Sequence, residues 1–197
     1  MVTQAERREA TRSAVIRAAT TLFGTVGFAA TTVDQIAGEA RVAKGAVYHH
    51  FANKEAIFAA VFEVTSREVA ARVAAAGRLA VDPLKGISEG TRTYFEICTD
   101  GGPIGRIILT DGPAVLGWRV WRDIDRQHFG AMVPAALAAA MKTGLVDSQP
   151  IEPLSALLLG AVTEAAFVCA NSHAPEKAIE AFISALDALL QGLCPRV

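Results

Sequence analysis

The sequence predicts an all-α fold, on three observations. Apolar residues recur at i, i+3 and i+4 through nearly every segment, no run alternates with period two, and alanine is abundant. A chain of 197 residues typically buries roughly 70% of its unfolded surface, enough for a core without staples. The three cysteines, Cys98, Cys169 and Cys194, lie far apart with no CxxC pair, as expected of reduced thiols in a cytoplasmic protein that binds no metal and no cofactor. The N-terminal run MVTQAERREATR is charged and has no apolar signal-peptide core, so export is not expected. Leu154 to Ala170 is apolar but interrupted by Ser155, Thr163 and Glu164. A carboxylate at mid-membrane costs about 3 kcal/mol, so this run is expected to be a buried helix of a soluble protein with no membrane partner.

The elements follow in order. A first helix over about Glu6 to Val26 carries Ala18, Leu22, Phe23 and Val26 on one stripe and stops at Gly27, suited to a C-terminal cap. Thr32-Val33-Asp34-Gln35 has the capping-box pattern and starts a short second helix with Val33, Ile36 and Ala37 inward. A third short helix, about Ala43 to Phe51, follows after a turn at Ala40-Arg41. Asn53 then caps a longer helix opened by Ile57, Phe58, Val61 and Phe62. Two short helices joined by a tight turn and clasped by longer ones form helix-turn-helix geometry. Breaks at 82–83, 101–103, 111–113, 144–153 and 174–175 mark out about five further helices. The expected division is a helix-turn-helix domain over 1–55, a connecting helix to about 78, and a larger helical domain over 79–197.

The stretch Lys44-Gly-Ala-Val-Tyr-His-His-Phe51 crowds polar groups into about two helical turns. At its start Lys44 can reach a phosphate or a guanine edge, Gly45 lets the backbone approach closely, and Ala46 offers a methyl to thymine. Tyr48 and His49 carry donors suited to phosphate, and Lys54 and the helix start at Thr32 add anion sites. Val47 and Phe51 are core. His49 and His50 diverge on a helix and have no third ligand, so no metal is expected there. Residues 1–55 hold seven Lys/Arg against five Asp/Glu, the weakly basic sign a polyanion needs, while the whole chain carries −1. These residues alone suit a DNA-reading helix and a solvated surface equally.

The run from Thr31 to Glu63, TTVDQIAGEARVAKGAVYHHFANKEAIFAAVFE, with the preceding Leu22-Phe23 and Gly27-Phe28, resembles the DNA-binding signature of the TetR-type bacterial transcriptional regulators. The resemblance implies an all-helical homodimer that binds a palindromic operator in double-stranded DNA and a small-molecule effector in its C-terminal domain. It assigns Thr32, Tyr48, His49 and Lys54 to phosphate and Lys44, Gly45 and Ala46 to the groove. Arg41 stands where the family often has Gly, and Ala43 where it has Ser or Thr, so the turn loses its most permissive residue and the helix a cap of about 1 kcal/mol. Arg41 is expected to compensate on phosphate.

In the larger domain Trp118, Trp121, His128 and Phe129 can gather at helical spacing, and Pro134 should end or kink that helix. With Phe95, Cys98, Phe167 and Asn171 they are the expected lining of a pocket for an apolar or aromatic ligand. The last two helices are expected to dimerise through Leu158, Ala161 and Ala165 on one and Ile179, Phe182, Ile183, Leu186 and Leu190 on the other. Glu164 fits either the pocket or the interface. Gly86-Ile-Ser-Glu-Gly90 matches the G-x-S-x-G of hydrolases, but no strand precedes it and no sheet supports it, so an enzyme is not expected. The expected function is a repressor released from its operator by ligand. The alternative is a helical ligand-binding or interaction protein without operator recognition.

Overall fold

The computed structural model describes residues 3–195, and among these it contains helices and no strand. Helix α1 is Gln4–Val26, α2 Val33–Ala40, α3 Lys44–His50, α4 Lys54–Arg78 and α5 Pro83–Thr99. A single turn, α6 (Pro103–Gly105), runs into a π-helical turn, Arg106–Asp111, and then come α7 (Gly112–Phe129), α8 (Met132–Lys142), α9 (Ile151–Ala170) and α10 (Pro175–Gln191). The break read at 111–113 is therefore a change of helical pitch. Pro113 sits in the first turn of α7, where no backbone bond is lost. The interruption in that helix lies instead at Gly117, whose φ of 75° and ψ of 150° only glycine adopts readily.

Local chemistry starts each element. Thr3 and Glu6 close a capping box on α1, and Thr32 and Gln35 close one on α2, with the Gln35 amide donating to Thr32 Oγ1 at 3.2 Å. Asp82 caps α5, accepting from the Lys85 amide at 2.9 Å, with Pro83 in the first turn. Ala43 gives α3 no side-chain cap, as its sequence requires.

The chain forms two compact units. One runs to Thr65 and takes in Gly101–Trp121; the other holds Ser66–Asp100 and the chain from Arg122. The first unit is thus discontinuous in sequence. It is built on an aromatic cluster: Phe23, Phe28 and Phe58 meet with ring centroids 5.3–5.6 Å apart. Val47 and Phe51 are buried beside α3. Gly24 lets Pro103 approach so closely that a Cβ there would stand 1.9 Å from the proline Cβ. Arg106 donates to the Thr25 carbonyl at 2.9 Å, and the Phe28 amide donates to Asp111 Oδ2 at 2.9 Å.

In the second unit Leu84, Ile87, Val133, Leu137, Leu158 and Leu190 share one core. This overturns most of the expected dimerisation stripe. Leu158, Ala165, Ile179, Ile183, Leu186 and Leu190 are buried within their own unit, because α9 and α10 need those apolar faces to pack on α5 and α8. Ala161 is exposed and Phe182 half-buried. α9 is also less buried than its composition suggested. It is long and apolar enough to cross a membrane by length and composition, and Leu157 is 73% exposed on it.

Asp187 on α10 accepts from Ser88 and Lys85 of α5, the latter at 2.8 Å, and these bonds hold its carboxyl below the usual range. Its stabilisation is present above the unfolded pKa of about 3.9 and is lost as pH falls through the lower folded value. Asp187→Asn should flatten the acid limb of a thermal-stability profile below about pH 4, where the wild-type carboxylate titrates.

Candidate functional site

Helix α3 is seven residues long and uncapped, too short to be stable alone. Its buried side, Val47 and then Phe51, fixes it to the aromatic unit and turns the rest outward. Lys44, Gly45, Tyr48 and His49 are exposed, and Ala46 is half-buried. Lys44 Nζ reaches Asp34 Oδ2 on α2 at 2.9 Å, so its cation is tethered at the start of α3. Nothing stands within 4 Å of a Cβ built on Gly45. The protein's own packing does not require that glycine, although glycine in a helix costs about 0.5–1 kcal/mol relative to alanine.

Thr32 spends its hydroxyl on the α2 cap, at an exposed helix start. Arg41 ends α2 with φ 56° and ψ 42°, a left-handed conformation that costs a non-glycine residue roughly 1–2 kcal/mol. Its amide still closes the helix on Gly38 at 3.1 Å, and its side chain is exposed. Lys54 differs from the expected phosphate ligand. Its ammonium donates to the Phe28 and Thr31 carbonyls at 2.8 and 2.9 Å and lies 4.3 Å over the Phe28 ring. Two of its three N–H groups thus hold the α1–α2 junction. On the same face Arg8, Arg12 and His49 crowd His50, and burial together with these charges pushes the His50 pKa down. The first unit therefore presents a short outward helix whose accessible groups are a tethered cation, an open glycine, a phenol and an imidazole. That is the arrangement of a helix-turn-helix DNA-binding protein.

The second unit encloses a cavity of about 390 Å³ walled by α4, α5, α7, α8 and α9. Of the expected pocket residues only Phe129 lines it. Phe95 and Cys98 are buried in α5, where burial pushes the Cys98 thiol up to about 12. Trp121 belongs to the first unit and donates its indole N–H to the Ile108 carbonyl at 3.0 Å, with Trp118, 61% exposed, tilted against it at a centroid distance of 4.9 Å. His128 and Phe167 are half-buried off the lining, and exposed Asn171 bonds the Phe167 carbonyl at the end of α9. The wall is instead mostly small and aliphatic. Gly77 and Gly86 bring α4 and α5 into backbone contact, since a Cβ on Gly86 would stand 2.9 Å from the Gly77 carbonyl oxygen. The polar groups missed in the sequence are Thr91, Tyr94, Asp125 and Thr163. Burial raises the Asp125 carboxyl, against the opposing pull of Arg122, Arg126 and His128.

Comparison with known proteins agrees with this architecture. Residues 84–193 match the tetracyclin repressor-like C-terminal domain, and residues 15–61 match the bacterial regulatory proteins of the tetR family. The Transposon Tn10 TetC protein of Escherichia coli is 25% identical over 80% of this chain and 79% of its own. The HTH-type transcriptional repressor SCO4008 of Streptomyces coelicolor is 27% identical over 77% of this chain and 76% of its own. The crystal structure of the TetR-family regulator ECA1819 from Pectobacterium atrosepticum superposes with a TM-score of 0.83 at 29% identity, covering 98% of each chain. The chain belongs to the TetR family of helix-turn-helix transcriptional regulators, which are DNA-binding proteins and not enzymes. Consistently, Ser88 of the G-x-S-x-G match lies within α5 and serves Asp187.

Gly45→Ala separates the two demands on α3. It should raise folding stability by about 0.5 kcal/mol, measured by urea denaturation, and, if the backbone meets the groove there, weaken operator binding about tenfold. Unchanged affinity would remove Gly45 from the DNA-reading surface.

Proposed function

We propose that the protein is a dimeric repressor that binds a palindromic operator through α3 and releases it when a small apolar or aromatic molecule occupies the cavity of the second unit. The observation that carries the reading is the outward face of α3, where Gly45 stays open although nothing in the protein demands it. Lys44, Gly45 and Ala46 face the groove, and Thr32, Arg41, Tyr48, His49 and the remaining N–H of Lys54 grip phosphate. Sited on bacterial DNA, the protein works in the cytoplasm. A ligand that binds better to one spacing of the two recognition helices weakens operator affinity by its differential affinity for the two states. A tenfold effect needs only about 1.4 kcal/mol of coupling.

The dimer reading rests on what the core leaves uncovered. Leu157, Ala161, Glu164 and Val168 recur at i, i+4, i+7 and i+11 and are all exposed on α9, with Leu157 and Val168 at 73% and 45%. On α10 the exposed residues Ala181, Ala185 and Ala188 permit close helix crossing, with Leu189 beside them at 61%. The two faces meet their symmetry copies in a four-helix interface, with Glu164 in its stripe. Sedimentation at micromolar concentration should give a dimer for the wild type and a monomer for Leu157→Glu; a wild-type monomer would refute the interface.

Selection of the purified protein on random duplex DNA, with binding of the enriched sites across a salt series, tests the operator reading. An enriched palindrome lost in Tyr48→Ala is expected. Salt-sensitive binding without a preferred sequence would instead favour a ligand-binding protein that has kept the fold alone.

A further inference from the structure

Asp125 stands apart from every other residue that lines the cavity. It projects from α7 with Arg122, Arg126, His128 and Tyr94 around it, and it accepts no hydrogen bond from the described residues. The nearest is Arg122, one turn earlier, with Nη1 3.6 Å from Oδ2, too far for a hydrogen bond. Arg122 directs its own donor to Thr163 Oγ1 at 3.3 Å, and Thr163 in turn donates to the Leu159 carbonyl at 2.8 Å. Thr163 is therefore satisfied by the protein. Thr91, on α5 and only 7% exposed, lines the same space with a hydroxyl that has no hydrogen bond among the described residues. The cavity thus holds a carboxylate that is ion-paired with Arg122 but accepts no hydrogen bond, together with the Thr91 hydroxyl and the Tyr94 phenol, the pattern in which a few placed polar groups orient a ligand.

The charges around the carboxylate narrow the complement. The Arg122 and Arg126 guanidinium groups both act on Asp125, and Arg78 lies in the cavity wall. A ligand ammonium would add a further cation to this group. A ligand carboxylate would set a second anion against Asp125 in an apolar space, which is costly. A neutral O–H group avoids both penalties by donating to the carboxylate. Phe129 and the glycine-opened walls at Gly77, Gly86 and Gly90 leave room for a flat body.

We propose that the effector is an aromatic molecule bearing a hydroxyl group, and that the Asp125 carboxylate accepts its O–H. The inference rests on the cavity being the effector site. The test uses full-length protein and isothermal titration with three probes of one shape, 2-naphthol, naphthalene and 2-naphthoate. The variants are Asp125→Ala and Ala136→Trp, the second filling the cavity from α8, and both are checked for a native thermal transition. A hydrogen bond to a charged acceptor predicts that wild-type protein binds 2-naphthol about tenfold more tightly than naphthalene. Asp125→Ala should erase that preference, so that 2-naphthol and naphthalene bind alike, and Ala136→Trp should abolish binding of both. Equal binding of naphthol and naphthalene, a preference that survives Asp125→Ala, tighter binding of the naphthoate, or binding of no probe would each overturn the assignment. If Ala136→Trp still abolishes binding while the head group makes no difference, only the role of Asp125 fails. Binding untouched by Ala136→Trp lies outside the cavity and refutes the effector-site reading itself.

Discussion

The DNA-reading helix depends on a junction that it does not itself contain. Seven residues without an N-cap cannot hold a helix in water, so α3 takes its conformation from what Val47 and Phe51 are buried against. That support converges on Phe28. Its ring packs on Phe23 and Phe58, its carbonyl accepts from Lys54, and its amide donates to Asp111, 83 residues away in sequence. One residue between α1 and α2 thereby ties together α1, the start of α4 and the π-helical turn. Phe23 and Phe58 are buried and Phe28 half-buried, which contributes apolar stabilisation, and the polar bonds fix the geometry, since each removes an orphan backbone group and adds about 0.5–1.5 kcal/mol net, somewhat more where the partner is charged.

The same economy explains Lys54 and Arg41, two cations near the DNA-facing surface with different histories. Lys54 is recruited inward because the turn after α1 leaves two carbonyls unpaired and an aromatic face beside them. Arg41 points outward and occupies a left-handed position where glycine would be unstrained. A strained residue that persists invites a functional account, and the phosphate contact proposed for this exposed guanidinium would supply one.

What the sequence made legible was whatever depends on local spacing. The Thr32–Gln35 capping box, the stop at Gly27 and the short α3 follow from neighbours within four residues, and the structure has all of them. The cavity was not legible, because a cavity is defined by missing side chains. Trp118 and Trp121 drew the reading to themselves, yet a large ring fills space, and Trp121 is buried at the core of its unit. The walls come from Gly77, Gly86, Gly90 and small aliphatics on four helices distant in sequence, a combination with no periodic signal. The dimer stripe failed for a related reason. Periodicity shows that a helix has an apolar face but does not say whether that face meets its own chain or a second copy. On α9, apolar residues on both sides were the clue that two surfaces needed covering.

Two helices contribute residues to both units, and in the proposed function this continuity is the route between ligand and DNA. α4 gives Phe58 and Phe62 to the first unit and Val73, Ala74 and Gly77 to the cavity wall. α7 gives Trp121 to the first and Asp125 and Phe129 to the second. A continuous helix transmits a rotation or a shift along its length more readily than a loop does, because its backbone bonds resist bending. Coupling further requires a place that can adopt two arrangements. The Gly77–Gly86 crossing supplies a candidate, since backbones in direct contact without side chains between them have little to interlock and can slide. On the proposed function, a ligand beside that crossing would act on the helix whose other end carries Lys54 to the Phe28 junction, and the placement of α3 depends on that junction.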